Sequence, residues 1–144
     1  MRISVIIPSR NEGDVVVEVA SAARACCDEA IVVDGHSTDG SPERLRAAGL
    51  AVIEDRGFGK GDAIRLGLEA ASGDILVTMD ADGSHDPAEI RSLVAPIVSG
   101  EADMVIGCRM RGGSDEFAHH FGDAWRRAWT MMTASANRPR FAYA

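Results

Sequence analysis

The sequence holds a single lysine, Lys60, against 14 arginines. That imbalance points to arginine-favouring codon usage and says nothing of activity. No apolar run approaches the roughly 20 residues that cross a bilayer. The apolar start, Ile3 to Ile7, is too short for a signal peptide and runs straight into Pro8. A cytoplasmic protein is the reading that follows. Cys26, Cys27 and Cys108 contain no C-x-x-C pair, which excludes a zinc ribbon and a disulfide framework. Reduced thiols packing as small apolar groups are expected instead. The Walker A loop is also missing, because Gly61 follows Lys60 where Ser or Thr is required. No G-x-G-x-x-G fingerprint occurs.

What is present describes a folded α/β domain. Hydrophobic residues make up 46% of 144, enough for one sizeable core. The net charge of -7 argues against a nucleic-acid partner, which rewards clustered cations. The charge is uneven: residues 1–108 carry 19 acids and 9 bases, residues 109–144 carry 3 acids and 6 bases. Short, near-continuous apolar runs appear at Ile3–Ile7, Ala30–Val33, Ala51–Glu54, Ile75–Met79 and Met104–Ile106, as expected of strands buried on both faces. Helical stretches separate them, at about 13–25, 41–48, 60–71 and 87–99. Ile90, Leu93, Val94 and Ile97 line one face of the last. Asp86-Pro87 reads as its cap and first residue. Gly49 and Gly73 mark helix ends. Strand and helix alternating in this way predict an α/β fold with a mainly parallel sheet. Beyond Gly107 the pattern fades into a loop at Gly112-Gly113-Ser114, a poorly patterned helix over 118–133 and a loose tail from Ala134, with no sixth strand expected.

In an open parallel sheet the ligand lies at the carboxyl ends of the strands. Four strand-end loops carry the polar residues: Pro8–Glu12, Asp34–Gly40, Gly57–Asp62 and Asp80–His85. Asp80 and Asp82, two residues apart at the end of a buried strand, repel unless a cation sits between them, and a hard divalent ion is the natural partner. The plainer alternative is a polar turn in which either acid caps backbone amides. Gly57-Phe58-Gly59-Lys60-Gly61 places a cation among glycines whose amides can approach phosphate, although a simple flexible loop has the same composition. Asp34 suits a ribose or base contact and equally suits a turn. His36 and His85 sit in the same loops, where exposed histidines usually bind nothing.

Together these loops resemble family-2 glycosyltransferases, and among them the polyprenyl-phosphate enzymes typified by dolichyl-phosphate mannosyltransferase. The resemblance rests on Val5–Glu12, Ile31–Gly40, Gly57–Ala63, Met79–His85 and Val105–Arg109, and spans residues 1 to about 116. It implies a GT-A type, Rossmann-like three-layer sandwich with a nucleotide-sugar-binding domain over 1–116 and an unmatched segment over 117–144. By residue-wise carry-over, Pro8, Arg10 and Glu12 border the nucleobase and Asp34 meets the base or ribose. Lys60 and Ala81 lie near the nucleotide. Asp80 and Asp82, with a weaker ligand at Ser84, hold Mg2+ or Mn2+ against the diphosphate. Arg109 meets the phosphate of the acceptor or the leaving group, and Arg111 suits the same task of positioning an acceptor phosphate. The sequence departs from relatives at Arg10, where many have Tyr, at Gly35, where many have Asp, and at Ser84, where dolichyl-phosphate enzymes often have Gln. It is also much shorter, so a truncated chain is expected.

The implied reaction moves a sugar, with inversion, from GDP-mannose or UDP-glucose to a polyprenyl or dolichyl phosphate at the cytoplasmic face of a membrane. Two rivals differ in class. A nucleotide-binding fragment without transferase activity accounts for the same loops. A haloacid-dehalogenase-like phosphatase shares Asp80-Ala81-Asp82-Gly83-Ser84, but needs that motif on its first strand and a downstream lysine, which is absent. An EF-hand fails because Gly83 falls at loop position 4 and Arg91 at position 12.

Overall fold

A computed structural model describes residues 1–107 and 140–143. Its elements run β1 (Ile3–Ser9), α1 (Val15–Cys26), β2 (Glu29–Asp34), α2 (Ser41–Ala47), β3 (Ala51–Glu54), α3 (Lys60–Ala70), β4 (Ile75–Thr78), a 3-10 turn (Pro87–Glu89), α4 (Ile90–Val98), β5 (Met104–Ile106) and β6 (Arg140–Tyr143). The strands form one sheet in the order β3-β2-β1-β4-β6-β5, and every pairing is parallel. The α/β architecture expected from the alternating pattern is therefore present. The five apolar runs are the first five strands, each within two residues of its expected ends.

One expectation is corrected. Arg140–Tyr143 form β6, inserted between β4 and β5, where a loose tail had been expected. Three residues of apolar character after a long gap carry too weak a local signal. Their strand conformation is imposed by two neighbours that are remote in sequence, with Leu76 opposite Phe141 on one side and Met104 opposite it on the other. The expected helix over 118–133 lies outside the described residues.

The central strands are apolar on both faces, and alternate residues feed two cores. Val5, Ile7, Val32, Ile75, Val77 and Met79 pack with α1, α2 and α4 through Val16, Ala20, Leu45, Val94 and Ile97. Ile6, Ile31, Val33 and Leu76 face the opposite way, against Ala63 and Leu66 of α3. α3 sits close because Gly67 has no side chain: a Cβ there would lie 2.3 Å from Ile6 Cγ2 and 3.1 Å from Val33 Cγ2. Gly73, expected to stop a helix, serves a different contact. A Cβ there would stand 2.8 Å from Ser4 N and 2.9 Å from Arg2 O, so β1 passes directly over it.

The amino edge of the sheet is tied by a polar network. Glu29 accepts hydrogen bonds from the Ser4 and Ser72 hydroxyls and from Ser72 N, and Ser4 Oγ in turn accepts from Gly73 N. Burial pushes the Glu29 carboxyl up, but these donors outweigh it and hold the group below its ordinary value. The expected cap is present one turn ahead of α4: Asp86 Oδ1 accepts from Ala88 N, and Pro87 opens the 3-10 turn that leads into the helix.

Candidate functional site

With all strands parallel, their carboxyl ends share one edge. The chain lays β1, β2 and β3 outward on one side, then returns to place β4 on the other side of β1. The order reverses there, and a crevice follows at such a point. A cleft of about 400 Å3 occupies it. Its walls are Pro8, Ser9, Arg10 and Glu12 after β1, Gly35 and His36 after β2, Asp55, Gly57 and Gly59 after β3, Lys60 and Ala63 at the start of α3, and Asp80, Ala81 and Asp82 after β4.

The β1 and β2 loops are clasped to each other. Gly35 N donates to Ser9 O at 2.8 Å and Asn11 N to Ser37 Oγ at 2.8 Å. Thr38 N donates to Asn11 Oδ1 at 2.8 Å and Gly13 N to Asp39 Oδ2 at 2.7 Å. Asn11 takes a left-handed φ of 56° to make its two bonds, a conformation asparagine tolerates better than most residues. Asp39 also accepts from Ser41 Oγ and Ser41 N at the start of α2. Those bonds, led by the Ser41 hydroxyl, hold its carboxyl down at about 2. Arg10 lies over Gly35, whose added Cβ would be 3.4 Å from Arg10 Cβ. The glycine therefore leaves room for the arginine stem along the cleft wall.

His36 is a second joint. Its Nδ1 lies 2.7 Å from Glu54 Oε1 and its Nε2 3.3 Å from Asp55 Oδ1. Both ring nitrogens donate at once only when the imidazole is protonated. Asp55, 8% exposed, also accepts from Gly57 N at 2.8 Å and so fixes the bend that leads into Lys60. His36 and Asp55 line the cleft although the motif pattern did not single out Asp55. The signal was available: it is an acid just past the end of β3, where the strand-end rule points.

At the far end, Lys60 Nζ reaches Asp80 Oδ1 at 2.8 Å, and His85 Nε2 lies 4.0 Å from Asp80 Oδ2. Asp82 Oδ1 accepts from Ser84 N at 2.9 Å, an Asx turn that brings the chain away from β4. The plainer alternative for this motif, a carboxylate capping a backbone amide, is thus realised by one oxygen of Asp82. No group of three or more His, Cys, Asp or Glu among the described residues converges as a metal cage. Two carboxylates beside an open cleft fit a hard divalent ion that completes its shell with water and phosphate oxygens.

Of the residues singled out from sequence, Pro8, Arg10, Glu12, Lys60, Asp80, Ala81 and Asp82 come together around the cleft. Asp34 and Ser84 are absent from its walls. Asp34 is 4% exposed, with Oδ2 accepting from Ser37 N and Oδ1 buried without a hydrogen-bond partner among the described residues. Ser84 is exposed and engages Asp82 through its backbone. Arg109 and Arg111 lie outside the described residues.

The family model described as Glycosyl transferase family 2 matches residues 4–141. The undecaprenyl-phosphate 4-deoxy-4-formamido-L-arabinose transferase of Aeromonas hydrophila is 34% identical over 128 residues, covering 80% of this chain and 39% of that protein. A low-salt glycan biosynthesis hexosyltransferase of Haloferax volcanii is 33% identical over 115 residues, covering 76% of this chain and 28% of that protein. Among solved structures, glucosyl-3-phosphoglycerate synthase from Mycobacterium tuberculosis in complex with Mn2+, UDP-glucose and phosphoglyceric acid superposes with a TM-score of 0.63 at 34% identity, over 69% of this chain and 40% of that one. The chain thus spans well under half the length of these relatives.

Proposed function

Because the chain belongs to glycosyl transferase family 2 and has its GT-A fold, we propose that it binds a nucleotide-sugar, GDP-mannose or UDP-glucose, with a divalent cation, for transfer of the sugar to a polyprenyl phosphate. The observation that carries this reading is the meeting of Asp80, Asp82 and Lys60 at the crevice beside β1 and β4. Acids and a cation on facing walls suit a ligand that is itself a diphosphate with a metal.

Asp80 and Asp82 would hold Mg2+ or Mn2+, which when bound offsets charge on the departing nucleoside diphosphate. The fit rests on their oxygen donors and on the open side of the cleft. Lys60 and the start of α3 supply positive charge for the phosphates. Pro8, Arg10 and Glu12 occupy the other end of the cleft and suit the base, with Arg10 offering a planar guanidinium for stacking. His36 and Asp55 stand beside them as hydrogen-bonding groups. Asp34 supports this wall from behind through its bond to the Ser37 amide. Ser84 is assigned to the turn of Asp82.

A lipid phosphate is anionic at neutral pH and needs cations to position it rather than a base to activate it. Arg109 and Arg111 are proposed for that task. The Aeromonas relative, an undecaprenyl-phosphate sugar transferase, supports an acceptor of this class. Work at the cytoplasmic face of a membrane follows from such an acceptor. No helix among the described residues is long and apolar enough to cross a membrane. The donor-binding unit is proposed as residues 1–116, with β6 completing its sheet.

Calorimetry with GDP and UDP, with and without Mn2+, tests the site, and sugar transfer to a polyprenyl phosphate tests the activity. Metal-dependent binding of one nucleotide with turnover is expected. Binding without turnover would leave a donor-binding unit and overturn the transferase reading for this chain. Metal-independent or absent binding would overturn the site.

A further inference from the structure

The ion pair across the cleft joins the same carboxylate that is proposed to hold the divalent ion. Lys60 Nζ stands 2.8 Å from Asp80 Oδ1, with the lysine side chain 57% exposed and the aspartate side chain 22% exposed. Lys60 is the first residue of α3, so its backbone is fixed at the cleft rim while its long stem reaches across to Asp80. α3 has no side-chain cap at its start, and its N-cap Gly59 contributes none. The positive end of α3 and the ammonium group therefore offer the same wall two kinds of positive charge. A divalent ion on Asp80 would stand within a few ångströms of the ammonium, and like charges at such a distance in a half-buried cleft repel strongly. One carboxylate oxygen cannot serve both cations equally.

We propose that Lys60 is the resident counter-ion of Asp80: it holds the carboxylate when no divalent ion is present, and is displaced towards the donor's diphosphate when the ion and nucleotide enter together. The inference rests on the metal site put forward above. Lys60 then has two partners in turn, a carboxylate in the empty cleft and a phosphate in the loaded one. No covalent bond is made or broken in the exchange, and the ammonium keeps its protons throughout. The consequence is an ordered preference. The ion alone meets a competitor, whereas the ion arriving with a diphosphate gives the displaced lysine a new anion. Metal and nucleotide binding are thereby coupled through a single side chain. Lys60 acts here as a positioning residue, and its signature is an opposite effect on two affinities.

The test is Mn2+ binding to the whole chain, read by electron paramagnetic resonance, for wild type, K60Q, K60R and D80N, first with Mn2+ alone and then with GDP or UDP present. K60Q is expected to bind Mn2+ alone about 3- to 10-fold tighter than wild type at low salt, with the gain shrinking as salt screens the pair. The same variant is expected to bind nucleotide in the presence of Mn2+ at least several-fold more weakly. K60R, which keeps the charge, is expected to stay near wild type for Mn2+ alone. If D80N abolishes Mn2+ binding while K60Q leaves the affinity for Mn2+ alone unchanged or lowers it, the counter-ion role is overturned and the metal site stands. If D80N leaves Mn2+ binding intact, the metal site falls, and the present inference falls with it.

Discussion

At the scale of single residues, two acids of the same sheet edge, Asp82 and Asp39, differ in what they bond. Asp82 is exposed at the cleft and accepts from the amide of Ser84. D82N keeps that acceptor and removes the charge. It is expected to weaken Mn2+-dependent nucleotide binding at least tenfold, about 1.4 kcal/mol, with little change in melting temperature, as read by calorimetry beside a thermal scan. Asp39 is the converse. Its carboxyl titrates at about 2, below its ordinary value of 3.8, because Ser41 and Gly13 donate to it. A depressed pKa contributes stability that is complete above the unfolded value and lost as pH falls through the folded one. The stability gap between wild type and D39N is therefore expected to be full above about pH 4 and to close towards about pH 2. Denaturant titrations across that range measure it. A gap independent of pH would sink this assignment.

The element scale shows where local sequence decides and where it does not. β1, β2 and β4 were legible because both faces are buried, so their residues read as unbroken apolar runs. α4 was legible from Ile90, Val94 and Ile97 on one face and from the Asp86-Pro87 start. β6 was not, since Arg140–Tyr143 become a strand only by lying between β4 and β5. In the cleft, the motif loops revealed Lys60, Asp80 and Asp82. Asp55 escaped notice although β3 ends at Glu54 as expected, because it falls between the strand and the Gly57–Asp62 loop. Asp34 stands at the end of β2, where one of its oxygens takes the Ser37 amide. The packing of α3 offers a direct test. Alanine at position 67 would gain about 0.5–1 kcal/mol of helix propensity, but its methyl would overlap the buried Ile6 side chain. Overpacking of this kind costs about 1–3 kcal/mol. G67A is expected to be net destabilising, and chemical denaturation would show it; a stabilised variant would contradict the close approach described here.

For the molecule as a whole, the two sides of the sheet are unequal. One face is covered by α1, α2 and α4 and the other, among the described residues, by α3. The cleft draws on loops from both sides of β1, so a ligand that fills it ties β2 and β3 to β4. Ligand binding to the folded state alone stabilises by about 2.7 kcal/mol at a concentration 100 times Kd. GDP or UDP with Mn2+ at such a concentration is expected to raise the melting temperature by several degrees, and a chelator is expected to remove the increment. A shift that survives chelation would separate nucleotide binding from the metal. The clasp of Asn11, Ser37, Thr38 and Asp39 ties the first two loops to each other.

Gly67 lies seven residues beyond Lys60 on the same helix, about 10 Å along its axis at 1.5 Å per residue. The hydrogen atom that stands there in place of a methyl group thus governs how deep α3 settles, and with it where the ammonium group comes to rest. A residue far from any ligand would in this way calibrate the span between the two walls of the cleft, much as a shim sets the gap in a clamp.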